Sequence, residues 1–209
     1  MGHVILLGDS IFDNAAYVPG RPPVIAQVQG ALPTGWKASL LAVDGHVAGD
    51  VAGQLRTLPA SATQLFVSAG GNDALEASWL LHEPAGSVAQ ALAVLAKAQE
   101  EFQSEYHAML REVLAVGKPT ALCTVYDAVP RLGRPEQVAL GSFNEVILRA
   151  AFAAGLPVID LRLICTEATD YSPLSPIEPS VLGGAKIARA VAEVATWHDF
   201  STRRSSVYR

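Results

Sequence analysis

Five short, uniformly apolar runs, set apart by turns and longer helical patterns, constrain this 209-residue chain more than any other feature. They are Val4–Leu7, Leu40–Val43, Leu65–Val67, Ala121–Val125 and Pro157–Ile159. Runs this short, without polar alternation, suit strands buried on both faces. Between them, Leu95, Phe102, Tyr106, Met109, Leu110 and Val113 mark one face of a long helix, which Gly117 and Pro119 end. Phe143, Val146, Ile147 and Ala150 mark a second helix, and Ile187, Val191 and Val194 a last one. The alternation predicts an α/β domain over residues 1–200, with a parallel sheet covered by helices on both faces. The tail 201–209 carries Arg203, Arg204 and Arg209 without a core pattern and reads as a solvated end.

Composition removes several classes of function. Half of the residues are hydrophobic and 17% are charged, which suits a folded core rather than a disordered chain. The formal net charge of −5 offers no global basic field for nucleic acid or an anionic membrane. No apolar run approaches the ~18 residues of a membrane span. The N-terminus lacks a positive region ahead of its apolar run, so it reads as a strand rather than a signal peptide, with a cytoplasmic location expected. Cys123 and Cys165 cannot form a disulfide scaffold or a four-cysteine zinc site. Asp44, His46 and Asp50 are metal-ligand types without a recognised spacing, and the dinucleotide and P-loop glycine signatures are absent. No cofactor or metal is expected, and oligomeric state is not readable.

In parallel sheets, function collects at the carboxyl ends of the strands. Gly8-Asp9-Ser10 directly follows the first strand. A serine there can expose its hydroxyl near a helix N-terminus, which favours negative charge on its oxygen; a plain turn or cap serine is the bland alternative. The second turn, Asp44–Asp50, contains Gly49, where a backbone N–H can approach a ligand oxygen closely. The third is Gly70-Gly71-Asn72-Asp73, in which Asn72 offers an uncharged amide donor or, more simply, a helix cap.

The three turns together, in this order, resemble the SGNH hydrolases, also called the GDSL esterase/lipase family. The resemblance covers most of the chain. It implies a three-layer α/β/α sandwich of flavodoxin-like topology, with a five-stranded parallel sheet in the order 2-1-3-4-5. It also implies Ser10 as nucleophile, and an oxyanion hole made by the Ser10 and Gly49 N–H groups with the Asn72 side chain.

The last block departs from the family's pattern. Where the family carries D-x-x-H-P, this chain reads Ser175-Pro176-Ile177-Glu178-Pro179, followed by Gly183 and the final helix. Glu178 therefore stands in the histidine position and Ser175 in the aspartate position. Free glutamate, with a pKa of about 4.3, is a weaker base than histidine at about 6.5. Burial and nearby carboxylates can raise it, and a serine hydroxyl can donate to it where an aspartate would repel it. The chain is expected to hydrolyse a small ester or thioester through an acyl-enzyme on Ser10, with Glu178 as base. The alternative is an impaired site that binds a carbonyl or anionic ligand without turnover. His46, in the Gly49 turn, is the histidine best placed to border the site. Trp79-Leu80-Leu81 suits a lid or ordinary packing.

Overall fold

The computed structural model describes residues 1–209. Strands β1 (His3–Gly8), β2 (Lys37–Leu40), β3 (Gln64–Ser68), β4 (Thr120–Cys123), β5 (Val158–Ile159) and β6 (Val207–Tyr208) form one sheet. All neighbours run parallel, in the order β2-β1-β3-β4-β5-β6. The helices are α1 (Val24–Ala31), α2 (Val51–Gln54), α3 (Gly71–Glu76), α4 (Val88–Ala115), α5 (Arg134–Ala154), α6 (Leu161–Ile164) and α7 (Val181–Trp197).

Successive strand residues point to opposite faces. Val4, Leu6, Phe66, Cys123 and Ile159 therefore pack with α1 and α7. Ile5, Leu7, Val67, Leu122 and Val158 pack with α4 and α5. The result is the three-layer α/β/α sandwich. The long helix buries Phe102, Tyr106, Met109, Leu110 and Val113 as its periodicity requires, while Leu95 is only half-buried.

Two expectations are corrected. The sheet has six strands rather than five, because the tail does not run free. Val158 N donates to Ser206 O and Asp160 N to Tyr208 O, so Val207–Tyr208 covers the open edge of β5. Tyr208 Oη is also 3.0 Å from His198 Nδ1. A two-residue edge strand has no periodicity to read, yet it protects backbone groups that β5 would otherwise leave unpaired. The second strand is Lys37–Leu40 rather than Leu40–Val43. It is an edge strand with a partly exposed face, so it lacks the uniformly apolar signature of the central strands. The chain past Leu40 still follows β1, with Leu41 N and Ala42 N both donating to Leu6 O, but Val43 is exposed.

Since every strand runs the same way, the turns after β1, β2 and β3 lie on one edge of the sheet. The loop from Tyr171 to Ser180, ahead of α7, meets them there.

Candidate active site

Ser10 lies two residues past the end of β1, and the turn is built on glycine. Gly8 has φ +120°, and a Cβ on it would collide with the Ser68 carbonyl on the neighbouring strand. The buried side chain of Gln54 then holds the strand end: Oε1 accepts from Gly8 N (2.8 Å) and Nε2 donates to Gly8 O (2.7 Å). Asp9 N donates to Ser68 O, and Asp9 Oδ1 accepts from Ile11 N at 3.1 Å. Ser10 is buried at 7% exposure, and its hydroxyl makes no side-chain hydrogen bond.

Asn72 lies in the first turn of α3. The helix is preceded by Gly70, whose φ of +117° brings the chain out of β3 against Phe102 and Ile147. Neither Asn72 nor Asp73 acts as a cap. Asn72 Nδ2 donates to His46 O (2.9 Å), and the Asp73 carboxylate accepts from Ala48 N at 3.1 and 3.2 Å. The third turn thus holds the second, where Gly49 sits exposed in the 3-10 helix Ala48–Asp50. Ser10 and Asn72 line the same cavity; Gly49 does not line it, and its turn is tied to α3 through His46 O and Ala48 N.

The orientation of Gln54 also decides what His46 can do. Gly8 N must face Oε1, so Nε2 points at Gly8 O and, at 3.0 Å, at His46 Nδ1. An amide N–H can only donate, so Nδ1 accepts and the neutral ring carries its proton on Nε2. His46 has no lone pair free to take a proton from Ser10.

Glu178 is held by its backbone on both sides. Tyr126 Oη donates to Ile177 O (2.6 Å), Ser172 N to Glu178 O (2.8 Å) and Asn14 Nδ2 to Pro179 O (3.0 Å). Asn14, four residues after Ser10, thereby joins the Ser10 turn to the Glu178 loop. The Glu178 side chain is buried at 4% exposure, and Oε2 has no hydrogen-bond partner. No hydrogen bond joins it to Ser10. Burial raises its carboxyl above the usual range; the Ser175 hydroxyl offsets part of the rise, and the Asp44 charge adds to it. Tyr17, which donates to Asp44 Oδ2 at 2.7 Å, is pushed up to about 12, first by that hydrogen bond and then by burial.

Two carboxyls near the Ser10 turn are perturbed as well. Burial pushes Asp9 up to about 7 against the pull of the Ile11 N–H, and the Asp73 charge adds to the rise. Burial likewise pushes Asp73 up to about 6, against its hydrogen bond from Ala48 N. The site therefore carries acidic groups that titrate near neutrality, and no cluster of three or more metal-ligand side chains is present.

Of the sequence-derived residues, Ser10 and Asn72 share a cavity, Gly49 is tethered to them, and Glu178 lies on the loop that Asn14 ties to the turn. Asn14, Gln54 and Tyr126 were not legible, since each acts through long-range hydrogen bonds that no local motif marks. Trp79 projects outward at 59% exposure, while Leu80 and Leu81 wall the cavity.

A family model described as GDSL-like Lipase/Acylhydrolase matches residues 6–198. The fold is shared with an extracellular lipase from Streptomyces rimosus at 19% identity and TM-score 0.66, over 94% of this chain and 100% of that one. It is shared with the lipase Lip_vut3 from a goat rumen metagenome at 16% identity and TM-score 0.74, over 96% and 100%. Phospholipase A1 from Streptomyces albidoflavus NA297 gives 17% identity and TM-score 0.70, over 93% and 99%. Among curated proteins, no sequence match was found.

Proposed function

The chain belongs to the GDSL-like lipase/acylhydrolase family, and from that premise we propose that it hydrolyses a small ester or thioester through an acyl-enzyme on Ser10, with Glu178 as the base. The observation that carries this reading is the Glu178 carboxyl: buried, with one oxygen unpartnered, on a loop clamped to the nucleophile turn. A buried acceptor without a donor is costly to keep, and such groups concentrate where a ligand, water or reacting proton completes them.

In the proposed reaction the Glu178 carboxylate takes the Ser10 Oγ proton, directly or through one water, as Oγ bonds to the substrate carbonyl carbon. Negative charge moves to the carbonyl oxygen. The Ser10 and Gly49 N–H groups and Asn72 Nδ2 would stabilise it there; the second Asn72 N–H is the one not committed to His46 O. Protonated Glu178 then gives the proton to the departing alkoxide or thiolate as its bond to carbon breaks. A water, deprotonated in turn by Glu178, attacks the acyl-enzyme and releases the acid, returning the proton to Ser10 Oγ. Hydrogen bonds of this kind are often long before substrate binds, which accommodates the missing Ser10–Glu178 contact.

That missing contact also favours a second reading, a pocket that binds a carbonyl ligand without turnover. Incubation with a fluorophosphonate, read by intact mass, separates the two. The hydrolase reading expects one adduct on the wild type and none on Ser10→Ala. Unlabelled wild type that still binds a carbonyl ligand tightly overturns it in favour of the second.

A further inference from the structure

We propose that Tyr17 and Asp44 are positioning residues for the base: a hydrogen-bonded strut that ties the Gly49 turn to the Glu178 loop and fixes a negative charge facing the Glu178 carboxyl. This rests on the reading of Glu178 as the base. Tyr17 ends the 3-10 helix Ala15–Tyr17, which follows the Ser10 turn. Its backbone and its side chain serve different parts of the site. The Tyr17 carbonyl accepts from Ser172 Oγ (2.7 Å), and Ser172 N donates to Glu178 O (2.8 Å). The Tyr17 hydroxyl donates to Asp44 Oδ2 (2.7 Å), and Asp44 N donates to Asp13 Oδ2 (3.1 Å). Asp44 opens the turn whose His46 carbonyl is held by Asn72. One half-buried tyrosine therefore spans the gap between the loop of the proposed base and the turn of a proposed oxyanion donor.

The strut matters because of what else faces Glu178. Burial pushes its carboxyl up, the Ser175 hydroxyl pulls it down, and the Asp44 charge pushes it up again. The two phenols that face it stay neutral. Tyr17 is pushed up to about 12, first by its hydrogen bond to Asp44, and burial pushes Tyr126, just past β4, well above the usual phenol range. Asp13, behind Asp44, adds charge of the same sign along the strut. Neither Asp44 nor Glu178 is in an ion pair with a cation. A carboxylate as exposed as Asp44, left on a free side chain, would turn to solvent and be screened. Bonded through both its side chain and its main chain, it keeps its charge on Glu178, where a like charge disfavours ionisation and so strengthens the base.

The Glu178 carboxyl can be titrated without turnover, through the carboxyl carbon resonance of glutamate-labelled protein, assigned by its loss in Glu178→Gln. Asp44→Asn keeps an acceptor for the Tyr17 hydroxyl and removes the charge, so the Glu178 midpoint should move to lower pH. Asp44→Glu restores the charge and should bring the midpoint back. Added salt, which screens an exposed charge, should lower the wild-type midpoint towards that of Asp44→Asn. Tyr17→Phe keeps the charge and cuts the strut, so the midpoint should fall by less than in Asp44→Asn. A midpoint unmoved in Asp44→Asn overturns the proposal, as does a wild-type midpoint indifferent to salt should that variant fail to fold. A midpoint unmoved in Tyr17→Phe overturns the strut. The pH dependence of kcat/KM on an activated ester separates this idea from the reading of Glu178 as the base. The rising limb should follow the Glu178 midpoint in the wild type and move with it in Asp44→Asn. A midpoint that moves while the limb stays, or with no ester turned over, keeps the strut and removes the base. A limb that follows Glu178 in the wild type, with neither moving in Asp44→Asn, keeps the base and removes the strut.

Discussion

Around Ser10 the framing side chains bond to main chain, whereas around Glu178 it is the backbone that is held and one carboxyl oxygen that has no partner. Asp9, Gln54, Asn72 and Asp73 all spend their polar atoms on nearby main chain. That side of the site is a rigid frame, set before any ligand arrives, which suits an oxyanion hole. On the other side, Tyr126, Ser172 and Asn14 fix residues 177 to 179 and leave the Glu178 head with Oε2 unsatisfied. The difference separates two tasks. Groups that position each spend at least one polar atom on the frame, and the group proposed to move a proton is held by its backbone with one carboxyl oxygen left unpartnered.

The most severe way to break this comparison is Glu178→Gln. It keeps the shape of the head and removes its basicity, so kcat on an activated ester should fall by about 10²–10⁴. In the wild type, kcat/KM should rise with pH through a single carboxyl that burial has raised, because only the ionised form accepts the proton. Full activity in Glu178→Gln would move the base elsewhere. Strong activity created by Glu178→His with Ser175→Asp in an inactive parent would mark the native site as a lapsed hydrolase.

Asp9→Asn tests the rigid side through stability. The folded pKa of Asp9, about 7, lies above the unfolded carboxyl value, so the native state keeps a proton that the unfolded chain releases. Wild-type stability should therefore fall as pH rises from about 4 to about 7. Asparagine cannot ionise and can still accept from Ile11 N. Melting curves across that window should show the variant gaining on the wild type, by up to about 4 kcal/mol above pH 7. Asp73, held at about 6, adds a slope of the same sign to both proteins. Parallel curves would show that Asp9 is solvated rather than buried.

Tyr126→Phe sharpens the other side. It removes the donor to Ile177 O, a part-buried hydrogen bond whose loss should cost about 1 kcal/mol. With Glu178 loosened, kcat should drop by roughly tenfold while KM moves less. Steady-state kinetics set beside a melting curve separates misplacement of Glu178 from global destabilisation. The smallest effect is expected for His46→Ala, under about threefold on kcat, since its Nδ1 lone pair is already taken by Gln54. Abolished activity there, in a folded variant, would reverse the assignment of roles.

Much of the frame was legible in the sequence because it rests on local rules. Central strands buried on both faces print themselves as unbroken apolar runs, and long helices print their buried stripes, so β1, β3, β4, β5, α4, α5 and α7 could be placed. The turns after β1 and β3 were legible because positive φ at Gly8 and Gly70 leaves few residues able to occupy them. Glu178 was singled out by its register with the last block of the resembled family, read from Pro179, Gly183 and the final helix, all near it in the chain. What only the tertiary structure decided links residues far apart in sequence. Asn14 meets Pro179 across 165 positions, Tyr126 meets Ile177 across 51, and Gln54 meets Gly8 across 46. The His46 tautomer, the partner of β5 in the tail and the position of β2 belong to the same class. A hydrogen bond between distant segments depends on where the whole chain packs, and edge strands are shaped by what covers them; neither leaves a periodic mark on the residues that take part.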